Sequence, residues 1–197
     1  MKHGLVAGLC LVLLPTLANA HAADGMAAGL VSGILHPLLG LDHLIAMVAV
    51  GLWGAQLGRP LVFALPVAFP LMMAVGGIMG LANVPIIAVE TGIALSALIL
   101  GLAIALAFRA PVWLAVLIVA LFAVFHGYAH GQELPTAASP IAYGIGFMVS
   151  TGLLHLVGIV IGLLNERPPT GPVAVRAMGG AIAALGVVFL GQSQGLI

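Results

Sequence analysis

The sequence predicts an all-α integral membrane protein with six transmembrane helices behind a cleaved N-terminal signal peptide. Three observations carry this expectation. The 197 residues are 63% apolar, with a mean hydropathy of +1.31. Charged residues make up 5% of the chain, against about 25% in soluble domains. The apolar residues fall into long blocks separated by Pro, Gly and Arg, and a membrane-spanning helix needs about 20 such residues in a row. A formal net charge of zero with singly scattered basic residues excludes a nucleic-acid surface. The length suits one six-helix membrane domain over residues 21–197, with no room for a soluble one.

Residues 1–20 have the layout of a signal peptide. Lys2 and His3 form a short polar start, Leu5 to Leu14 an apolar core too short to span, and Ala18-Asn19-Ala20 a small-residue cleavage site. Cleavage is expected after Ala20. The one cysteine, Cys10, leaves with this segment, so the mature chain has no disulfide, iron–sulfur ligand or thiolate metal site.

The first helix is expected over residues 29–56, ended by Gly58-Arg59-Pro60. The second covers 61–82, with Pro66 and Pro70 near its start and Gly76, Gly77 and Gly80 later. Pro85 suits the first turn of a third helix running to 108. Glu90 then lies one to two turns inside that helix, about 7.5 Å from its outer end. Arg109-Ala-Pro111 breaks the chain before a fourth helix over 112–131. Leu134 to Pro140 reads as a loop from its turn residues, a fifth helix covers 141–164, and a polar linker from Asn165 to Pro172 precedes a sixth over 173–191. Small residues recur along helices two, five and six, as where membrane helices approach closely.

Topology follows from charge. Signal cleavage leaves the mature N-terminus outside the membrane, and six crossings then put Arg59, Arg109, Arg167 and Arg176 on the cytoplasmic side, as the positive-inside rule requires. Both mature termini are expected in the periplasm of a bacterial inner membrane.

The stretch His36-Pro-Leu-Leu-Gly-Leu-Asp42-His43 places two imidazoles and a carboxylate within the first helix. A carboxylate near the bilayer centre costs roughly 2.5–3.5 kcal/mol on insertion scales. The Lys and Arg residues fall outside the apolar segments, so a bound cation is the natural partner for Asp42. His126, His130 and Glu133 follow at i, i+4 and i+7, one face of a helix. Two histidines with a carboxylate one turn on are a recurrent metal-ligand arrangement. Gly127 and Gly131 flank the pair, open to a neighbouring helix or to the ion.

His36 and His43 lie about 10.5 Å apart along a regular helix. They share one ion only if Pro37 and Gly40 distort the helix; otherwise the motif serves two successive sites. Glu90, alone in an apolar helix, reads either as an ion-handling group or as a protonated carboxyl donating one hydrogen bond. The outer-half placement it shares with the other ionisable residues favours ion handling. His155 reads as a packing residue, hydrogen-bonded through Ser150, Thr151 or a backbone carbonyl. Met47, Met72, Met73 and Met79 read as packing residues. The His and carboxylate donors suit borderline divalent metals such as Ni²⁺, Co²⁺ and Zn²⁺. If cleavage follows Ala20, His21 becomes the mature N-terminus, with Asp24 nearby. Its α-amine, titrating at about 7.7–8.0, and its imidazole are candidate capture ligands.

With these residues in view, the chain resembles the HupE/UreJ family of nickel permeases. The carrying segments are His36 to His43, matching H-x₅-D-H, and Phe125-His126-Gly-Tyr-Ala-His130-Gly-Gln-Glu133, matching F-H-G-x-A/V-H-G-x-E. The resemblance covers essentially the whole chain. It implies secondary nickel transport associated with hydrogenase or urease supply, and marks His36, Asp42, His43, His126, His130 and Glu133 as functional. The expected activity is passage of Ni²⁺, or of Co²⁺ or another divalent transition metal, from periplasm to cytoplasm. The ion is cargo, no resident cofactor is expected, and no nucleotide-binding G-x₄-G-K-[ST] motif is present. The alternatives are an intramembrane metal-dependent hydrolase, for which the H-E-x-x-H motif is missing, and a bis-histidine haem carrier using His43 and His126.

Overall fold

The structure is a computed structural model that describes residues 26–134, 139–165 and 170–197. The signal peptide and its cleavage site, His21, Asp24 and Arg167 lie outside the described residues. Among the described residues there is no strand. The helices are α1 (Met26–Leu39), α2 (Leu41–Leu57), α3 (Leu61–Leu81), α4 (Val89–Ala105), α5 (Val112–Gln132), α6 (Pro140–Leu164) and α7 (Gly171–Ser193).

The first expected helix is thus two helices, bent by 82° at Gly40. Pro37 sits inside α1, where it lacks the N–H that would bond the preceding turn. Gly40 then takes an extended conformation, φ −85° and ψ 109°, and becomes the N-cap of α2. A Cβ there would stand 3.2 Å from both Asp42 Oδ1 and His43 Nδ1.

The third expected helix also starts later than Pro85. Ala88 is left-handed (φ 56°), and α4 begins at Val89, so Glu90 is exposed in the first turn rather than one to two turns inside. The fourth expected helix reaches Gln132, and Glu133 is its C-cap, donating its backbone N–H to the Ala129 carbonyl at 2.9 Å. Ser139 caps α6, accepting from the Ala142 amide at 3.4 Å, with Pro140 in the first turn.

Close packing of small residues joins the helices in pairs. The broken pair lies along α6 in the same direction: Gly33 touches the backbone of Tyr143 and Phe147, and Gly51 that of His155 and Ile159. α1 and α2 therefore cover successive lengths of one helix. α3 and α5 are also parallel, with Gly76 against Val124 and Gly80 against Tyr128. α4 and α7 are antiparallel, with Gly101 against Ala183 and Gly186 against Leu98.

Helices α3, α5, α6 and α7 are each long and apolar enough to cross a membrane, and the α1–α2 pair makes a fifth candidate span if taken as one. Helix α4 is apolar but has 17 residues, about 25 Å at 1.5 Å per residue. Apolar residues cover both sides of α3: Leu65, Phe69 and Met73 are buried, while Phe63, Val67 and Leu71 face outward. A helix apolar all round belongs in a membrane or a large core.

Arg59 and Arg109 lie in connections at one end of the bundle. Arg176 lies in the first turns of α7, as in the helix expected over 173–191, and its Nε donates to the Ala105 carbonyl at 2.8 Å. Asp42, Glu90 and Glu133 lie at the opposite end.

Candidate metal centre

The bend at Gly40 decides the geometry of the site. His36 closes α1, and His43 opens α2. Instead of standing two turns apart on one face, both rings approach His130: centroids lie 4.8 Å away for His36 and 4.4 Å for His43. His126, one turn before His130 on α5, stands 5.0 Å from His43, edge to face. Four imidazoles from three helices are in continuous contact.

Glu133 completes the outer end. Its Oε2 lies 3.6 Å from His36 Nε2 and 3.9 Å from His130 Nδ1, and its side chain is 54% exposed. One donor atom each from His36, His130 and Glu133 lie within 4.8 Å of one another, close enough for small adjustments to surround one cation. His126, by contrast, is wholly buried. The cluster runs from a half-open carboxylate to a sealed imidazole.

Hydrogen bonds orient two of the rings. His126 Nδ1 meets the Phe122 carbonyl at 2.9 Å, and His43 Nδ1 meets Asp42 Oδ1 at 2.9 Å. Both acceptors require the proton on Nδ1, which leaves Nε2 with its lone pair free. Neither Nε2 has a hydrogen-bonding partner, and His130 has none at either ring nitrogen. Buried polar atoms are rarely left unpaired, and a carboxylate holding the far nitrogen of an imidazole is the usual outer support of a metal-ligating histidine. Asp42 therefore orients His43 and supplies charge, rather than facing the other imidazoles.

Glu90 is not part of this cluster. With Asp42, Ile93 and Ser193 it lines a separate recess of about 400 Å³ between α2, α4 and α7. The two carboxylates thus share a mouth at the same end of the bundle. Of the partners expected for His155, neither Ser150 nor Thr151 is bonded to it; the backbone carbonyl beside its ring is that of Pro66 on α3, short of hydrogen-bond geometry. The contact between the His43 and His126 rings leaves no gap for a macrocycle, which argues against the haem alternative.

Three aromatic residues surround the cluster without having been legible as site residues. Tyr143 and Phe147 of α6 pack on His36, at 5.9 and 6.1 Å, and Phe147 packs on His130 at 4.1 Å. Phe69 of α3 packs on His126 at 5.6 Å. Their role depends on helix pairing, for which a local pattern carries no signal.

Gly127 and Gly131 let a neighbouring helix come close. A Cβ on Gly127 would run into the Met73 carbonyl of α3, and one on Gly131 into the Gly77 carbonyl. Gly127→Val is expected to destabilise the α3–α5 pair by about 1–3 kcal/mol or more. The measurement is membrane abundance by immunoblot, which should fall while transcript level stays constant.

No solved structure matches the chain. Protein HupE of Rhizobium leguminosarum bv. viciae is 42% identical over 195 residues, spanning 96% of this chain and 99% of that protein. The family described as HupE / UreJ protein matches residues 9–189. On both grounds the chain belongs to the HupE/UreJ family.

Proposed function

We propose that the chain is a secondary permease carrying Ni²⁺ from periplasm to cytoplasm through the intramembrane His and carboxylate cluster. As a HupE/UreJ protein it is a membrane accessory and transport protein, not an enzyme, so the hydrolase alternative is not retained. The observation that carries the reading is the line of imidazoles from His36 through His130 and His43 to His126, the last three with buried, unpaired nitrogens.

The route starts where charge and exposure coincide. Glu133 meets the ion at the open end and, with His36 and His130, replaces part of its water shell. His130 is common to this outer group and to the inner pair, His43 and His126. Passing the ion along His130 therefore keeps at least one nitrogen ligand in place throughout. Asp42 and Glu133 offset the double positive charge, which an apolar interior cannot do. The donor set is also compatible with Co²⁺ and Zn²⁺, while hard oxygen-only ions lack a matching site. Glu90, beside Asp42 in the neighbouring recess, adds negative charge at the mouth and attracts cations there.

The six-span topology belongs to the same proposal. A parallel α1–α2 and α6, a parallel α3 and α5, and an antiparallel α4 and α7 are the directions that six alternating crossings require. Signal cleavage after Ala20 then puts both termini in the periplasm of the inner membrane, with Arg59, Arg109 and Arg176 inside. A C-terminal alkaline phosphatase fusion is expected to be active, and an inactive fusion would overturn the topology.

The function is tested by radioactive nickel uptake into cells with and without the gene, with Co²⁺ and Zn²⁺ as competitors. Uptake should depend on the gene and be reduced most by the ions the cluster accepts. No gene-dependent uptake at any nickel concentration would refute the permease. His21→Ala, after mass spectrometry confirms processing at Ala20, is expected to lower uptake only at limiting nickel, since an N-terminal amine and imidazole would act in capture.

A further inference from the structure

Below the cluster, the fold holds a second set of buried donors that the pathway described so far does not use. His155 lies about 22 Å along α6 from Pro140, while His126 is about 9 Å from the end of α5 at 1.5 Å per residue. His155 is thus the deeper of the two. Its side chain is fully buried, and neither ring nitrogen has a hydrogen-bonding partner. Thr151, one turn earlier on the same helix face, is also fully buried, with its hydroxyl unpaired. Helical side chains lean toward the N-terminus, so the imidazole leans toward this hydroxyl and toward the cluster above.

A third donor comes from α3. Pro70 has no N–H, so the Pro66 carbonyl one turn before it lacks its helical partner. That carbonyl lies beside the His155 ring without reaching hydrogen-bond geometry. An imidazole and a hydroxyl without partners therefore share one face of α6 in a dry interior, with an α3 carbonyl beside the imidazole. Phe69 stands between this group and the cluster: its ring is 5.6 Å from that of His126 and 5.3 Å from that of His155, edge-on to both.

We propose that His155, the Thr151 hydroxyl and the Pro66 carbonyl form a second, deeper transit site for the divalent ion, reached from His126 past the Phe69 ring. This rests on the permease reading. One nitrogen and two neutral oxygens make a weaker site than the carboxylate-bearing cluster, and a transit site must bind weakly enough to release. The ion leaves its carboxylate partners at this step, which makes passage of Phe69 the point of greatest electrostatic cost. The site takes borderline divalent cations through the imidazole and disfavours monovalent soft ions, since no sulfur donor is among the three groups.

The test compares His155→Leu, which keeps bulk and removes the donor, with His155→Cys, which restores one. In cells, His155→Leu is expected to reduce nickel uptake at least ten-fold at unchanged membrane abundance, and His155→Cys to recover at least a third of it. The purified full-length His155→Leu protein is expected to keep the wild-type Co²⁺ absorption of the outer cluster. In a His43→Ala/His130→Ala background, residual Co²⁺ binding is expected and should disappear when His155→Leu is added. Uptake by His155→Leu within two-fold of wild type would overturn the site, as would loss of the protein or of the outer Co²⁺ signal together with uptake. Equal loss in His155→Leu and His155→Cys would also overturn it. If the wild type moves no nickel, the permease reading fails, and the Co²⁺ binding dependent on His155 alone then decides whether the deeper site exists.

Discussion

His130→Ala is expected to reduce nickel uptake at least 100-fold, to the background of cells without the gene, while the protein remains in the membrane near wild-type abundance. His130 joins the outer group of the cluster to its inner pair. Its ring contacts those of His36, His43 and Phe147, and Glu133 lies 3.9 Å from its Nδ1. Removing it leaves the outer pair and the inner pair with no shared ligand. Neither of its nitrogens holds the fold together through a hydrogen bond, so truncation should spare folding better than loss of a bonded polar group. Uptake and immunoblot are measured on the same cells, with Co²⁺ absorption of the purified protein as a binding readout. Loss of protein in step with uptake would mean that His130 is structural.

Asp42 carries the second large effect, and here the type of substitution matters. Asp42→Ala removes both the bond to His43 Nδ1 and the charge, and uptake should fall to background. Asp42→Asn keeps an acceptor for the same bond but lacks the charge. Altering the outer partner of a ligating histidine typically costs 10–100-fold in metal affinity. The nickel concentration for half-maximal uptake by Asp42→Asn is therefore expected to rise by about that factor, with much of the maximal rate retained. An unchanged concentration dependence would show that the carboxylate's charge is not used. In Glu90→Gln, where a charge at the mouth rather than an outer partner is lost, the shift should be smaller.

Several elements were legible because their causes are local. The helices at 61–82, 112–131, 141–164 and 173–191 were read from apolar blocks and from Pro, Gly and Arg punctuation. They correspond closely to α3, α5, α6 and α7. The cluster members on α5 were legible because i, i+4 and i+7 define one face of any helix. Pro37 and Gly40 marked a place where the first helix was open to distortion, but not its size. A sharp kink and a full 82° break start from the same residues, and the packing of α1 and α2 on α6 selects between them. Glu90 was placed too deep because Pro85 is an acceptable first-turn residue. The left-handed Ala88 that delays the helix has no side-chain signature.

The sequence by itself determined that this chain is a helical membrane protein, which residues are ionisable within it, and which end of the bundle carries the arginines. These are properties of composition and spacing, set by the cost of putting backbone and charge into hydrocarbon. Only the tertiary structure decided that His36 and His43 converge on His130, that Asp42 holds His43, and that Phe69 separates His126 from an unpaired His155. Each depends on which helices pair and at what angle. In a membrane that choice rests on close packing of small residues such as Gly51, Gly76 and Gly127. A glycine in a sequence does not name the backbone that will fill the space above it.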